Sequence, residues 1–290
     1  MFKKPERHIT DQDVKLTLPT NRKEVFFDLL KHRKMTLFAL ACFTFMFFIP
    51  LAVDLLYFNF LENVAMANEK YDYLFSLIFY SMLVMLPCMV IGFIGLAGAF
   101  YSAKKIVWQE GVMLAQDFFQ GIKENWKHAL VNGAIFGILT FGLVVGSSFL
   151  LLNFQAEPIW CGVGIGALIL FFLFFGMSIA LFFTQDVYYQ NSYSNTMKNS
   201  FRFLGLTNWK ILVLFLLSTG ALVALCAINL IILIIGLFLF AVLNSVVIIL
   251  YTLIAHSAFD KYINQEHYPD MVGKGLYKVD KVDNNEEKEA

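Results

Sequence analysis

Charge is what this sequence has least of. Only 15% of its 290 residues are Asp, Glu, Lys or Arg, against 59% hydrophobic, and none of these four types occurs between Ile211 and His256. A water-soluble domain carries about 25% charged residues. This chain cannot cover its apolar surface with water-facing side chains, so the bilayer is its natural solvent. The charges it has cancel, 22 basic against 22 acidic. That balance excludes the basic footprint of an ordinary nucleic-acid binder.

Cysteine and the motifs of catalysis are equally thin. Cys42, Cys88, Cys161 and Cys226 are the four cysteines, and none stands in metal or redox C-x-x-C spacing. They read as small packing residues. There is no H-E-x-x-H, no G-x-S-x-G, no phosphate-binding G-x-x-x-x-G-K-[ST] and no dinucleotide fingerprint. The longest polar segment, residues 1–34, spans 34 residues, too few to fold a catalytic domain alone. No enzymatic activity, cofactor or metal is therefore expected. A cleavable signal peptide is not visible either. The first hydrophobic run begins near Met35, behind an arm too long for an n-region, and is expected to serve as an uncleaved anchor.

What is present is a succession of long apolar runs. Spans are expected at about 35–58, 72–100, 129–152, 159–183, 211–230 and 236–256. Pro50 and Pro87 are expected to bend the first two, and Asn59–Tyr71 and Asn153–Pro158 to turn outside. The last two come from one run of 46 residues, Ile211–His256. As a single helix it would be about 69 Å long, over twice the hydrocarbon thickness. It must break, with Asn229 and Gly236 as the hairpin points. Gly92, Gly95 and Gly98, with the G-x-x-x-G pairs Gly133/Gly137 and Gly142/Gly146, are small-residue strips suited to close helix packing.

The polar segments 1–34, 101–128, 184–210 and 257–290 carry nine, four, three and five Lys or Arg residues, and only Lys70 lies on the other side. By the positive-inside rule both termini are expected on the cytoplasmic side, around six spans. A five-span alternative would put the C-terminal tail outside. The arm 1–34 and the tail 257–290 are expected to be polar, the tail ending in a solvated VDKVDNNEEKEA.

Three similar stretches precede hydrophobic runs: FFDLLKHRK from Phe26, QDFFQGIKENWK from Gln116 and FRFLGLTNWK from Phe201. In the first, Val25, Phe26, Leu29 and Leu30 can face a membrane while Lys23, Glu24, Lys31 and Lys34 face water. In the second, Trp108, Val112, Ala115, Phe119, Ile122 and Trp126 recur at helical spacing. In the third, Tyr193, Met197, Phe201 and Leu204 lie opposite Lys198 and Arg202. Trp126 and Trp209 fall where an interfacial aromatic belt belongs. The expected fold class is thus an all-α polytopic membrane bundle, six transmembrane helices as three hairpins, each preceded by an amphipathic interfacial segment. Flat anchoring on the membrane is the plainer reading of these stretches. A partner-docking surface is the sharper one, with Phe118, Phe119, Lys123, Asn125, Trp126, Lys127, Phe201, Asn208, Trp209 and Lys210 as candidates.

Polar groups at membrane depth are costly and so worth naming. Asp54, near the outer end of its span, reads as an interfacial carboxylate. Asn132, Asn229 and Asn244 can bond across helices, and His256 reads as a surface residue. Asp186 is expected to cap a connecting segment.

LPCMVIG at Leu86–Gly92, KIVWQEG at Lys105–Gly111 and DFFQGIKENWKHA at Asp117–Ala129 together resemble the YesL-like family of bacterial membrane proteins, whose conserved domain has no assigned function. Val90 stands where that family usually has Thr. The resemblance implies a Gram-positive bacterial source and an association with carbohydrate uptake by ATP-driven transporters. The expected role is that of an accessory protein binding the bilayer and a transporter or other membrane protein, with homo-oligomers open and no nucleic acid. The rival expectation is a small-solute transporter or channel.

Overall fold

A computed structural model describes residues 18–68, 71–189, 191–220 and 230–277. Among these the fold is all-α, without strands. α1 is Arg22–His32, α2 Lys34–Ala67, α3 Tyr71–Val107, α4 Leu114–Leu152, α5 Pro158–Tyr188, α6 Tyr193–Phe215 and α7 Leu230–Phe259. Single π-helical turns extend α6 over Leu216–Gly220 and α7 over Asp260–Asn264.

Five helices, containing α2 to α5 and α7, are long and apolar enough to cross a membrane. A sixth span results if the two limbs of α6, Tyr193–Leu206 and Trp209–Thr219, bent by 104°, count as one. The chain is therefore a helical bundle of the multi-pass membrane kind. α3 lies at its centre and packs along α2, α4, α5 and α7, while α2 and α7 pack together and tie the two ends of the chain.

Close helix approach depends on missing side chains. A Cβ on Gly121 of α4 would stand 2.4 Å from Tyr101 Cβ and 3.1 Å from Gly98 Cα, so α3 and α4 meet backbone to backbone here. Gly92 and Gly95 admit Phe48 and Phe47 of α2. Gly133 and Gly137 lie against Val90, Phe93 and Leu86 of α3. Gly146 meets Leu168, but Gly142 has nothing within 4 Å, so only part of the second pair is used for packing.

The helices differ from the expected spans in definite ways. α2 runs on through Asn59 to Ala67, so most of the expected Asn59–Tyr71 loop is helix. Gly236 is buried inside α7 and makes no break; the helix already begins at Leu230. Asn229, the other expected break, lies outside the described residues. α4 contains both the second amphipathic stretch and the third span in one helix of 39 residues, about 58 Å long. No separate flat segment precedes that span. In the polar tail, residues 257–277 continue α7 and fold back as a strap, while 278–290, with the stretch expected to be solvated, lie outside the described residues.

α1 docks on protein, not on lipid as its pattern suggested. Val25 and Leu29 are buried in the core, and α1 packs on α2 and α7. Its start is fixed by Asn21, whose side chain accepts from the backbone N–H groups of Lys23 and Glu24. Glu24 returns the bond to Thr20 N at 2.7 Å, a capping arrangement. Phe27 stays exposed.

Candidate functional site

The start of α1 and the ends of α3, α5 and α7 converge on one polar cluster. α3 ends at Val107, and a turn with Gln109 at φ 57° carries Trp108 inward. Trp108 meets Tyr188, the last residue of α5, with ring centroids 5.1 Å apart. Both meet His256 of α7, at 6.1 and 4.9 Å. Lys104, one turn before Trp108, holds its ammonium 5.1 Å from the Trp108 ring centre and donates to the Val187 carbonyl at 2.6 Å. From the other side, Arg22 at the start of α1 pairs with Asp260 at 2.7 Å.

The π-helical turn after α7 sets the rest. A widened turn moves side chains off the regular helical register and often marks a functional position. Here Asp260, its first residue, faces Arg22, and Asn264, its last, accepts from the Tyr189 hydroxyl at 2.6 Å. Burial and the neighbouring Asp260 charge raise the Tyr189 phenol well above its ordinary range, so it serves as a neutral donor.

The strap closes this end. Arg22 donates to the Lys274 carbonyl at 2.8 Å, and the Tyr277 N–H donates to Pro19 O at 2.9 Å. Lys274 lies 3.7 Å from the Trp108 ring centre and pairs with Glu110 at 2.9 Å. Gly275, at φ +83°, brings its backbone so near Val107 and Trp108 that a Cβ would be 2.4 Å from the Val107 oxygen.

His256, expected at the surface, is 0% exposed in this cluster. Neither ring nitrogen makes a well-formed hydrogen bond; Asp260 Oδ1 stands 3.5 Å from Nε2 and the Met271 backbone lies nearby. Trp108 Nε1, Tyr188 Oη and Arg22 Nε are also buried without partners.

A second polar chain links α4, α5 and α6. His128 bonds Asp186 at 2.7 Å, and the Tyr193 hydroxyl donates to Asn132 at 2.9 Å. Asp186 therefore bridges helices, where the sequence suggested a cap. Lys105 and Asp117 join at 2.6 Å across the turn between α3 and α4, and Asp117 also accepts the Met113 N–H. Among the described residues no His, Cys, Asp and Glu group is arranged to hold a metal.

The partner-docking candidates separate into two groups. Phe118 is 0% exposed and packs on Phe43 and Phe47, so it belongs to the core and faces no partner. Phe201 stacks flat on Phe174 at 5.3 Å. Asn125 bonds back to Gly121 O at 3.1 Å. Phe119 (54%), Trp126 (44%) and Trp209 (68%) remain exposed, with Lys123, Lys127 and Lys210 exposed beside them. The Asn208 side chain lies outside what the structure describes. Of the expected stripe, Phe119 and Trp126 do lie on an outward face of α4, whereas Trp108 belongs to the turn before α4 begins at Leu114. The buried side of α4 is Phe118, Gly121, Ala129, Asn132 and Phe136, and Phe119 and Trp126 point outward.

At membrane depth, Asn244 donates from α7 to Ala41 O of α2 at 3.1 Å. Asp54 is buried in α2 with the Ser81 hydroxyl of α3 beside it, the two making no well-formed hydrogen bond. Asn229 lies outside the described residues.

Comparison with known proteins yields no match: no family model, no curated protein and no solved structure matches this chain.

Proposed function

We propose that this chain is a non-enzymatic, multi-pass protein of the bacterial cytoplasmic membrane that docks another membrane protein, with a carbohydrate transporter as the favoured partner. Both termini and the strap-covered cluster face the cytoplasm in this reading, as the distribution of Lys and Arg requires. The YesL-like motifs around Leu86–Gly92, Lys105–Gly111 and Asp117–Ala129 support the family link and its carbohydrate-uptake association.

One observation carries the docking role: Phe119 and Trp126 are turned outward near the start of α4, beside Lys123 and Lys127. An aromatic and basic surface of this kind suits a membrane interface and a protein partner alike. Photo-crosslinking separates the two. A crosslinking residue at Phe119 or Trp126 is expected to give a reproducible protein adduct in cells, while one at Ile138, farther along α4, gives lipid adducts only. Identical patterns at all three positions would remove the docking role and leave interfacial anchoring.

The rival, a small-solute transporter, is supported by the buried Asp54 carboxyl beside Ser81, between α2 and α3. Solute flux in liposomes that Asp54→Asn abolishes would decide for it.

A further inference from the structure

The polar cluster at the basic end of the bundle is short of acceptors. Well over nine-tenths of buried polar groups find a hydrogen-bond partner in a folded protein. Here Arg22 Nε, Trp108 Nε1 and Tyr188 Oη are buried with none, and His256 has only Asp260 at 3.5 Å and the Met271 backbone beside it. The rings of Trp108, Tyr188 and His256 are in mutual contact, and Arg22 joins them through Asp260, which it pairs with and which stands 3.5 Å from His256. Arg and Trp nitrogens only donate, a phenol donates readily, and a neutral imidazole brings one donor. The two obligate donors, Arg22 Nε and Trp108 Nε1, therefore call for an acceptor.

The charges point the same way. Arg22 is matched by Asp260, and Lys274 by Glu110. Lys104 has no carboxylate within ion-pair distance among the described residues, only the Val187 carbonyl and the faces of Tyr101, Trp108 and Tyr188. Glu110 and Glu124 act on this part-buried ammonium only from beyond ion-pair distance, and a desolvated charge so weakly matched is costly. A small anion would satisfy the ammonium and the orphan donors together.

We propose that this cluster binds a small oxyanion, a phosphate or carboxylate group, held by Lys104, Trp108, Tyr188 and Arg22 under the strap formed by residues 268–277. Lys104 supplies the charge. The Trp108 N–H, the Tyr188 hydroxyl and the Arg22 Nε–H supply direction. The strap, fastened through Arg22 to Lys274 O and through Tyr277 N to Pro19 O, keeps water out and must open for exchange. The same group could arrive as a free solute or as the headgroup of an anionic lipid, since the cluster lies where α3, α5 and α7 end. This site is independent of the docking face on α4.

The test is calorimetric titration of the delipidated, detergent-purified full chain. Four probes are used at matched ionic strength: sodium phosphate, sodium acetate, dihexanoyl phosphatidylglycerol and dihexanoyl phosphatidylcholine. Saturable binding of phosphate or acetate identifies a free oxyanion, and binding of phosphatidylglycerol alone identifies a headgroup; phosphatidylcholine separates net negative charge from a bare phosphodiester. In either case Lys104→Met weakens binding by about tenfold or more, the loss of a charge-assisted bond. Lys104→Arg retains it, which controls for misfolding. Trp108→Phe keeps the ring, removes the donor and weakens binding less. No saturable heat from any probe, or variants that bind as the parent does, would overturn the proposal and leave ordered water as the partner of these atoms.

Discussion

Gly121 has no room for a methyl group. Its Cβ position is 2.4 Å from Tyr101 Cβ, on a backbone that cannot retreat because Gly98 lies behind it. Gly121→Ala is expected to lower stability by about 1–3 kcal/mol, the range of overpacked cores, seen as a lower unfolding midpoint in detergent. Gly142→Ala, at a position with nothing within 4 Å, should leave the midpoint unchanged. Glu24 gives a residue-level pH effect. The Thr20 backbone N–H, then its hydroxyl, hold the Glu24 carboxyl below its ordinary value of 4.5. A lowered folded-state value means the contribution is full above the ordinary value and is lost as pH falls through the lowered one. Protection of the first turn of α1 against hydrogen exchange, relative to the intrinsic rate at each pH, should fall on acidification below about pH 4, and Glu24→Gln should abolish that dependence. Single-residue burial was poorly legible in the sequence. Phe118 and Phe119 are adjacent and chemically identical, yet one is core and the other surface. Only the register of α4 on α3, set by Gly98 and Gly121, separates them.

At the scale of elements, hydrogen bonds tie helices at chosen points. His128 of α4 reaches Asp186 of α5, whose side chain is only 3% exposed. His128→Phe strands that carboxylate and should cost about 1–3 kcal/mol. Adding Asp186→Leu should recover part of the loss, because replacing both partners by apolar groups is far milder. A double-mutant cycle on thermal unfolding measures this, and simple additivity would contradict it. Asn244→Ala, which removes the link from α7 to Ala41 O, should cost about 0.6 kcal/mol, the usual worth of such a bond between membrane helices. Long apolar runs made the spans legible, because lipid leaves the backbone no option but helix. The strap was not legible. It carries no periodic pattern, and its position depends on Arg22, Pro19 and Trp108, residues far away in the chain. His256 was misread for the same reason: it looked terminal in its own run, but three other elements close over it.

Among the described residues the bundle gathers its basic groups at one end. Nearly all Lys and Arg residues lie in the segments 1–34, 101–128, 184–210 and 257–290. The described parts of those segments meet in space: Arg22 with Asp260, Lys274 with Glu110, and Lys104 with Val187. These contacts place the starts of α1 and α4 and the ends of α3, α5 and α7 at one pole, with Asn153–Glu157 at the far tip of the α4–α5 hairpin. Both the docking face and the oxyanion site assume that this pole is cytoplasmic. Cysteine labelling of intact cells with a membrane-impermeant maleimide tests that most directly, in a background where the four native cysteines are replaced. Ala156→Cys is predicted to label from outside, and Thr20→Cys and Lys274→Cys only after the membrane is opened. Labelling of Thr20→Cys or Lys274→Cys on intact cells, with Ala156→Cys protected, would contradict the account.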